Sequence, residues 1–293
     1  MNAVISLRRG FMNQVGIIRQ SPLGSVGALI VLFYVIVAIV TPFLAPHDPW
    51  ATLKDSSGHI ASLRPPSAEF WLGTTFLARD MLSQMMWAAR TTIFIGLVSG
   101  LISIVIGANI GLFSGYYGGR IDEALMRFTD IIYGMPFLPF IITLIALFGR
   151  SQSFVIIAIV VIVWRTSARV VRAQTLALKQ RQFVLAAKAR GCGDLRIIYR
   201  HIMPNILPLL LLYTAFNIAW SIIAEAGASF LGFGDPNHLS WGGMLYEMWI
   251  SGQSRVAWWW FAFPSIAIIS LVSALVFISR AYEEVANPRL RQR

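Results

Sequence analysis

This chain of 293 residues is poor in charge. Asp, Glu, Lys and Arg together supply 13% of it, where a soluble domain carries about 25%. Apolar residues supply 57%. A single soluble core of this length needs no apolar runs as long as those seen here, so the chain reads as an integral membrane protein. Cysteine occurs once, at Cys192, which excludes an intramolecular disulfide. Cys192 reads as a small filler beside a turn, with a thiol activated by basic neighbours as the alternative. Lysine occurs only as Lys54, Lys179 and Lys188, and none completes G-x-x-x-x-G-K-S/T, so no phosphate-cradling loop exists. His47, His59, His201 and His238 lack metal-ligand spacing, and no His-Glu-x-x-His, Cys-x-x-Cys or Gly-x-Ser-x-Gly occurs. The apolar runs also lack the paired polar residues that an intramembrane enzyme uses. No catalytic residue, metal site or bound cofactor is expected, and energy for uphill transport has to come from another subunit.

The net charge of +11 invites a nucleic-acid reading. The basic residues, however, sit at the ends of apolar runs, where a membrane protein keeps them. The expected partner is the lipid bilayer and not nucleic acid. Six spans are expected. The first lies in the charge-free run 20–47, ended by Pro42 and Pro46, and it lacks a small-residue cleavage pattern, so it reads as a retained span. A polar segment, 47–88, forms an outer loop. The second span, 90–120, carries Gly96, Gly100, Gly107, Gly111 and Gly115 at G-x-x-x-G spacing, read either as close helix contacts or as glycine merely tolerated. The third, 130–150, is interrupted by Pro136 and Pro139. The fourth, from 151, continues past Trp164 through Arg165, Arg169 and Arg172, which recur on one face and can snorkel to the surface. The fifth, 202–224, opens with Pro204 and Pro208, and the sixth is 256–279. Trp241, Trp249 and the tryptophans at 258 to 260 read as an interfacial belt.

This topology leaves only Lys54, Arg64, Arg79, Arg90, Arg150 and Arg255 outside. By the positive-inside bias both termini and the polar insert between spans four and five are cytoplasmic. The chain is then one membrane domain, 23–282, between cytoplasmic tails 1–22 and 283–293.

The insert, 180–201, is the most unusual stretch. Ala186, Ala187 and Ala189 precede a turn at Gly191 and Gly193, and a second amphipathic stretch runs from Asp194 to His201 and Pro204. Glycine permits a left-handed turn there. The pattern suits a knob gripped by a soluble partner, or an ordinary interfacial helix. Met135 and Pro136 either break the third span beside a pathway or kink it for packing. Glu225, at the outer end of span five, is either a substrate contact or a packing carboxylate.

Ala186-Ala187-x3-Gly191, then His201 and Ile-Met-Pro204, resembles the cytoplasmic EAA loop of ATP-binding-cassette import permeases. Trp71-Leu-Gly-Thr74 with Arg79-Asp80 and Ala89-Arg90 resembles the second permease of the oligopeptide/dipeptide/nickel branch. So do Gly115-Tyr-Tyr-Gly-Gly119 through Arg127, Ile223-Ala-Glu225 through Gly234, Ser240-Trp-Gly-Gly243 and Asn287-Pro-Arg289. Leu185 stands where the loop usually has its glutamate, and Ala78 where the branch usually has a glycine. The resemblance implies an all-α integral membrane protein with the type I importer permease fold, in the inner membrane of a prokaryote. It implies a homologous permease partner, two cytoplasmic ABC ATPases that use ATP and Mg, and an extracytoplasmic substrate-binding protein. Leu185, Ala186, Ala187, Gly191, Asp194, His201 and Pro204 would form the coupling loop. Peptides are the implied substrate, with oligosaccharides and nickel as alternatives. A self-powered channel or secondary transporter would need intramembrane charges that are scarce here.

Overall fold

The protein is described here by a computed structural model covering residues 21–286. The tails that carry Arg8, Arg9, Arg19 and Asn287-Pro-Arg289 lie outside the described residues. Among the described residues the fold is all-helical apart from two isolated bridges in the segment before the second helix.

Helix α1 (Pro22–Leu44) starts where the Ser21 hydroxyl accepts from the Gly24 N–H and Pro22 supplies the fixed φ of a first turn. Pro42 lies within its last turns and does not end it. The helix turns most of its large apolar side chains outward and lies close to α10 (Trp258–Ala286). A Cβ at Gly27 would stand 2.5 Å from the Ala274 carbonyl, so only glycine allows that approach. Tyr34 and Ser270 hydroxyls meet at 2.7 Å across the same seam.

The segment 45–80 folds back onto the helices. Thr74 donates to the Ala61 carbonyl and accepts from the Arg64 N–H, and Trp259 Nε1 donates to the Thr74 carbonyl at 3.2 Å. Gly73 has φ +79 and no room for a Cβ beside the Trp259 ring, which accounts for glycine in the Trp71-to-Thr74 block.

Helix α2 (Met81–Tyr117) begins within the expected outer loop and nine residues before the expected span. The Asp80 carboxylate accepts from the Ser83 N–H and hydroxyl, a strong N-cap that the hydropathy pattern does not register. At 1.5 Å per residue the helix is about 55 Å long, well beyond a ~30 Å hydrocarbon core. Its glycines divide between two neighbours. Gly96 and Gly100 touch Ile222 and Ile218 of α8 (Leu207–Ala228), whereas Gly107, Gly111 and Gly115 touch α5 (Gln152–Lys179). At each of the five an added Cβ would come within 2.8 Å of a neighbouring atom, so close helix contact is the correct reading.

Gly118 and Gly119, both at positive φ, reverse the chain into α3 (Gly119–Gly134). A 90° bend at Met135–Pro136 leads into α4 (Phe137–Phe148). Five helical segments are long and apolar enough to cross a membrane: α1, α2, α5, the rod Asp194–Phe233 and α10. The bent pair α3–α4 makes the sixth when taken as one broken span.

Arg169 and Arg172 keep partly exposed side chains and are paired as well. Arg172 forms a bidentate pair with Asp122 at 2.5 and 2.6 Å, and Arg169 pairs with Asp130 at 2.6 Å, both fastening α3 to α5. The tryptophan belt is smaller than expected. Trp241, Trp259 and Trp260 are buried core residues, and only Trp249 and Trp258 face outward. Trp241 opens α9 (Trp241–Ile250) and donates to the Met85 carbonyl at 3.1 Å. Gly242 sits where a Cβ would be 2.5 Å from the Ala226 carbonyl, so α9 lies tight on α8. Asp235, between them, accepts from the Gln152 N–H at the start of α5.

Candidate functional site

The insert forms an elbow. Helix α6 (Gln182–Ala189) turns Val184 and Ala187 inward, where they join Leu112 and Tyr116 of α2, Val171 of α5, and Ile197, Ile198, Ile202 and Ile206. It ends on Gly191, whose φ is +76. The Cys192 N–H donates to the Ala187 carbonyl at 3.1 Å and the Gly191 N–H to the Lys188 carbonyl at 2.9 Å. These paired closing bonds are those of a helix terminated by a left-handed glycine. Cys192 packs partly buried beside them, as a filler does.

After the turn, a short α7 (Asp194–Arg196) runs without a break into a π-helical turn, Ile197–Ile202, a 3-10 turn, Met203–Ile206, and then α8. Prolines cause the irregularity: Pro204 and Pro208 have no N–H to give to the preceding turn. The rod from Asp194 to Phe233 is nevertheless continuous over 40 residues. His201 lies half-buried in the π turn and Pro204 is exposed in the 3-10 turn.

The elbow's outer surface is apolar and basic together. Leu185 is 54% exposed, and Phe183, Ala186, Ala189, Leu195 and Tyr199 are exposed around it. Arg181, Arg190, Arg196 and Arg200 are exposed with no ion pair among the described residues. Of the expected coupling residues, Leu185 and Ala186 face out, Ala187 packs inward, Gly191 makes the turn, and Asp194 is tied down.

Tyr116 ties it. Its hydroxyl donates to Asp194 Oδ1 at 2.6 Å, and its ring lies 4.9 Å from Lys188 Nζ and 5.9 Å from Lys179 Nζ. Sequence reading placed Tyr116 in an interfacial turn and missed this role. Asn109, a polar residue deep in α2, is the other omission: it accepts from the Tyr199 hydroxyl. A lone amide within a charge-free run was the available signal.

The pathway candidates are not brought together. Met135 closes α3 and Pro136 opens α4 at the bend. Beside them, between α4, α5 and α8, lies a cavity of about 440 Å³ lined by Phe137, Arg165, Thr166, Tyr213, Asn217 and Trp220, among others. Glu225 does not line it. That side chain is 1% exposed, its Oε1 accepts from the Ser229 hydroxyl at 2.6 Å, and the Ser240 and Thr92 hydroxyls face it. Its surroundings are those of a carboxyl packed between α2, α8 and α9. No cluster of His, Cys, Asp or Glu able to hold a metal occurs among the described residues.

Residues 107–292 match the family described as the inner membrane component of binding-protein-dependent transport systems. Residues 17–66 match the N-terminal transmembrane domain of oligopeptide transport permease C. The dipeptide transport system permease protein DppC of Bacillus subtilis is 33% identical over 279 residues, covering 94% of this chain and 84% of the relative. The oligopeptide transport system permease protein OppC of Haemophilus influenzae is 34% identical over 91% of this chain and 85% of its own length. The glutathione transport system permease protein GsiD of Pectobacterium atrosepticum is 31% identical over 90% and 86%. Among solved structures, a chain of the MetNI methionine ABC transporter, in inward-facing conformations, superposes with a TM-score of 0.55 at 18% identity, over 71% of this chain and 97% of that one. That likeness concerns the fold.

Proposed function

Because the chain belongs to the family of inner membrane components of binding-protein-dependent transport systems, we propose that it is one of two homologous permeases walling the pathway of an ATP-driven importer of di- and oligopeptides. Relatives named for dipeptide, oligopeptide and glutathione transport, aligned over nine tenths of the chain, support peptides as the substrate. The chain itself is a non-catalytic transport subunit, and ATP and Mg are used by two cytoplasmic ABC ATPases. An extracytoplasmic binding protein delivers the solute. The excess of Lys and Arg at the elbow end supports placing that end, and both termini, in the cytoplasm.

The observation that carries this reading is the elbow's exposed apolar and basic surface at the head of a continuous rod. Leu185 and Ala186 meet the ATPase groove by shape, and the exposed arginines around them add positive charge, opposite in sign to the glutamate usual at position 185. Val184, Ala187 and the isoleucines that follow pass the displacement to α2 and α5, while His201 and Pro204 sit in the joint that passes it to α8. Met135 and Pro136 are the hinge at which the broken span turns. Glu225 holds α8 and α9 together. Coupling then follows from two arrangements of the bundle, biased by nucleotide at one end and by loaded binding protein at the other.

The test is reconstitution of the two permeases with the ATPases in vesicles, with binding protein outside. A labelled dipeptide should accumulate only with ATP, and loaded binding protein should stimulate hydrolysis. Accumulation by this chain alone, with no ATPase, would overturn the assignment.

A further inference from the structure

Three arginines project from one face of α5, and they are not equivalent. Arg172 has Asp122 and Arg169 has Asp130. Arg165, the one farthest from the elbow along the helix, has no carboxylate among the described residues. Its Nη1 donates to the Ile132 carbonyl at 2.8 Å, and its guanidinium stands 4.7 Å over the Tyr133 ring. The carbonyl lies in the last turn of α3, so the contact fixes the guanidinium beside the bend. One donor of five is used. A cation on a membrane-spanning helix with no counter-charge is costly where it is shielded from water, and such residues face cavities and bind.

Arg165 lines the cavity between α4, α5 and α8. Its volume of about 440 Å³ lies within the roughly 300–1,000 Å³ of small-ligand pockets. Phe137, Phe216 and Trp220 make apolar walls, and the Thr166 and Asn217 side chains add neutral hydrogen-bonding groups. Asn217 is held by Ser167 through bonds of 2.9 and 3.2 Å. Aromatic walls around one fixed guanidinium suit an organic carboxylate with an apolar body.

We propose that Arg165 is the pathway's carboxylate-binding group, holding the C-terminal carboxylate of a peptide as it passes through this cavity. The proposal rests on the peptide-importer reading for its ligand. The planar fork of arginine fits a carboxylate in two-point contact, and the Ile132 carbonyl contact holds it ready.

The test uses the full complex with Cys192→Ser in this chain. Uptake of a labelled dipeptide is compared for wild type, Arg165→Gln and Arg165→Lys. In parallel, Thr166→Cys is labelled with a sulfonate-bearing and an ammonium-bearing methanethiosulfonate, with and without dipeptide. We expect Arg165→Gln to lower uptake roughly tenfold while assembly and ATP hydrolysis persist, with lysine restoring part of it. The preference for the anionic reagent should fall by a similar factor with glutamine, and dipeptide should slow labelling only when position 165 is cationic. Wild-type uptake by Arg165→Gln, or no reagent preference, would overturn the proposal. So would failure of both variants to assemble, which would make Arg165 an interface residue facing the second permease. If the wild-type complex imports no peptide while the reagent preference stands, the peptide reading fails and the anion site survives.

Discussion

Single residues of this chain carry conformations that their chemistry resists. Ala78 is fully buried at φ +55, a conformation that favours glycine. A left-handed conformation costs an L-residue about 1–2 kcal/mol. Removing the methyl gives that back but loses about 0.8 kcal/mol of burial and adds about 0.5–1 kcal/mol of backbone entropy. The terms nearly cancel, so Ala78→Gly should leave the thermal midpoint almost unchanged. Ala78→Val should lower it by several degrees, because a β-branched residue fits neither the space nor the φ. Gly191 is simpler, since a Cβ there would meet open space and only its φ of +76 matters. Gly191→Asn should keep coupling and Gly191→Val should lose transport while ATP hydrolysis continues, as measured on the same vesicles. Leu185→Glu, on the exposed face of α6, should assemble and transport at least as well as wild type; loss of ATPase binding would show that the contact at position 185 requires an apolar side chain.

At the scale of elements, the α2–α5 seam is set by glycine. A Cβ at Gly111 would stand 2.5 Å from the Ala168 carbonyl and one at Gly107 2.6 Å from the Trp164 carbonyl. Backbone cannot yield as a side-chain tip does, so Gly111→Val should cost about 3 kcal/mol or more, read as loss of folded protein in detergent. At the other end of α5, Asp235 pins the helix start. Burial alone would raise its carboxyl, but the Asn237 N–H, the His238 ring and the Gln152 N–H together hold it below the ordinary carboxylate value. A depressed folded-state pKa gives stability that is present above the unfolded value and lost as pH falls through the folded one. Thermal stability should therefore fall on acidification below about pH 4, and Asp235→Asn should be less stable near neutrality and show a shallower acid slope. The glycine spacing was visible in sequence but left close contact and mere tolerance open, and only the approach of α5 and α8 to each glycine decides between them. The start of α2 was not visible, since an Asp80 cap outside the apolar run leaves no mark on hydropathy. The tryptophans misled because the same ring serves an interface or a core, and only packing against Met85 and Tyr34 decides for Trp241.

Across the whole molecule, the legible part was what short-range pattern encodes: charge-free runs, the proline break at Pro136 and the elbow's glycine turn. What was not legible depends on contacts distant in sequence. The link from Tyr116 to Asp194 crosses 78 residues, and the pairs joining α3 to α5 cross 39 and 50. These links decide how the elbow acts. It is continuous with α8, packed against α5 through Val171, and latched to α2 through Tyr116 and Leu112. A displacement at the elbow therefore loads three spans together. Tyr116→Phe keeps the ring in its cluster and removes only the bond to Asp194, a hydrogen bond to a charged acceptor worth about 1.5–3 kcal/mol. The fold should survive, because the apolar packing remains. With α2 unlatched, ATPase motion should reach α8 but only partly α2, so ATP consumed per dipeptide imported should rise severalfold while maximal hydrolysis stays near wild type. Unchanged stoichiometry would mean that Val171 and the isoleucine cluster carry the load without the latch, and Asp194→Asn, which keeps an acceptor for the tyrosine hydroxyl, should fall between the two.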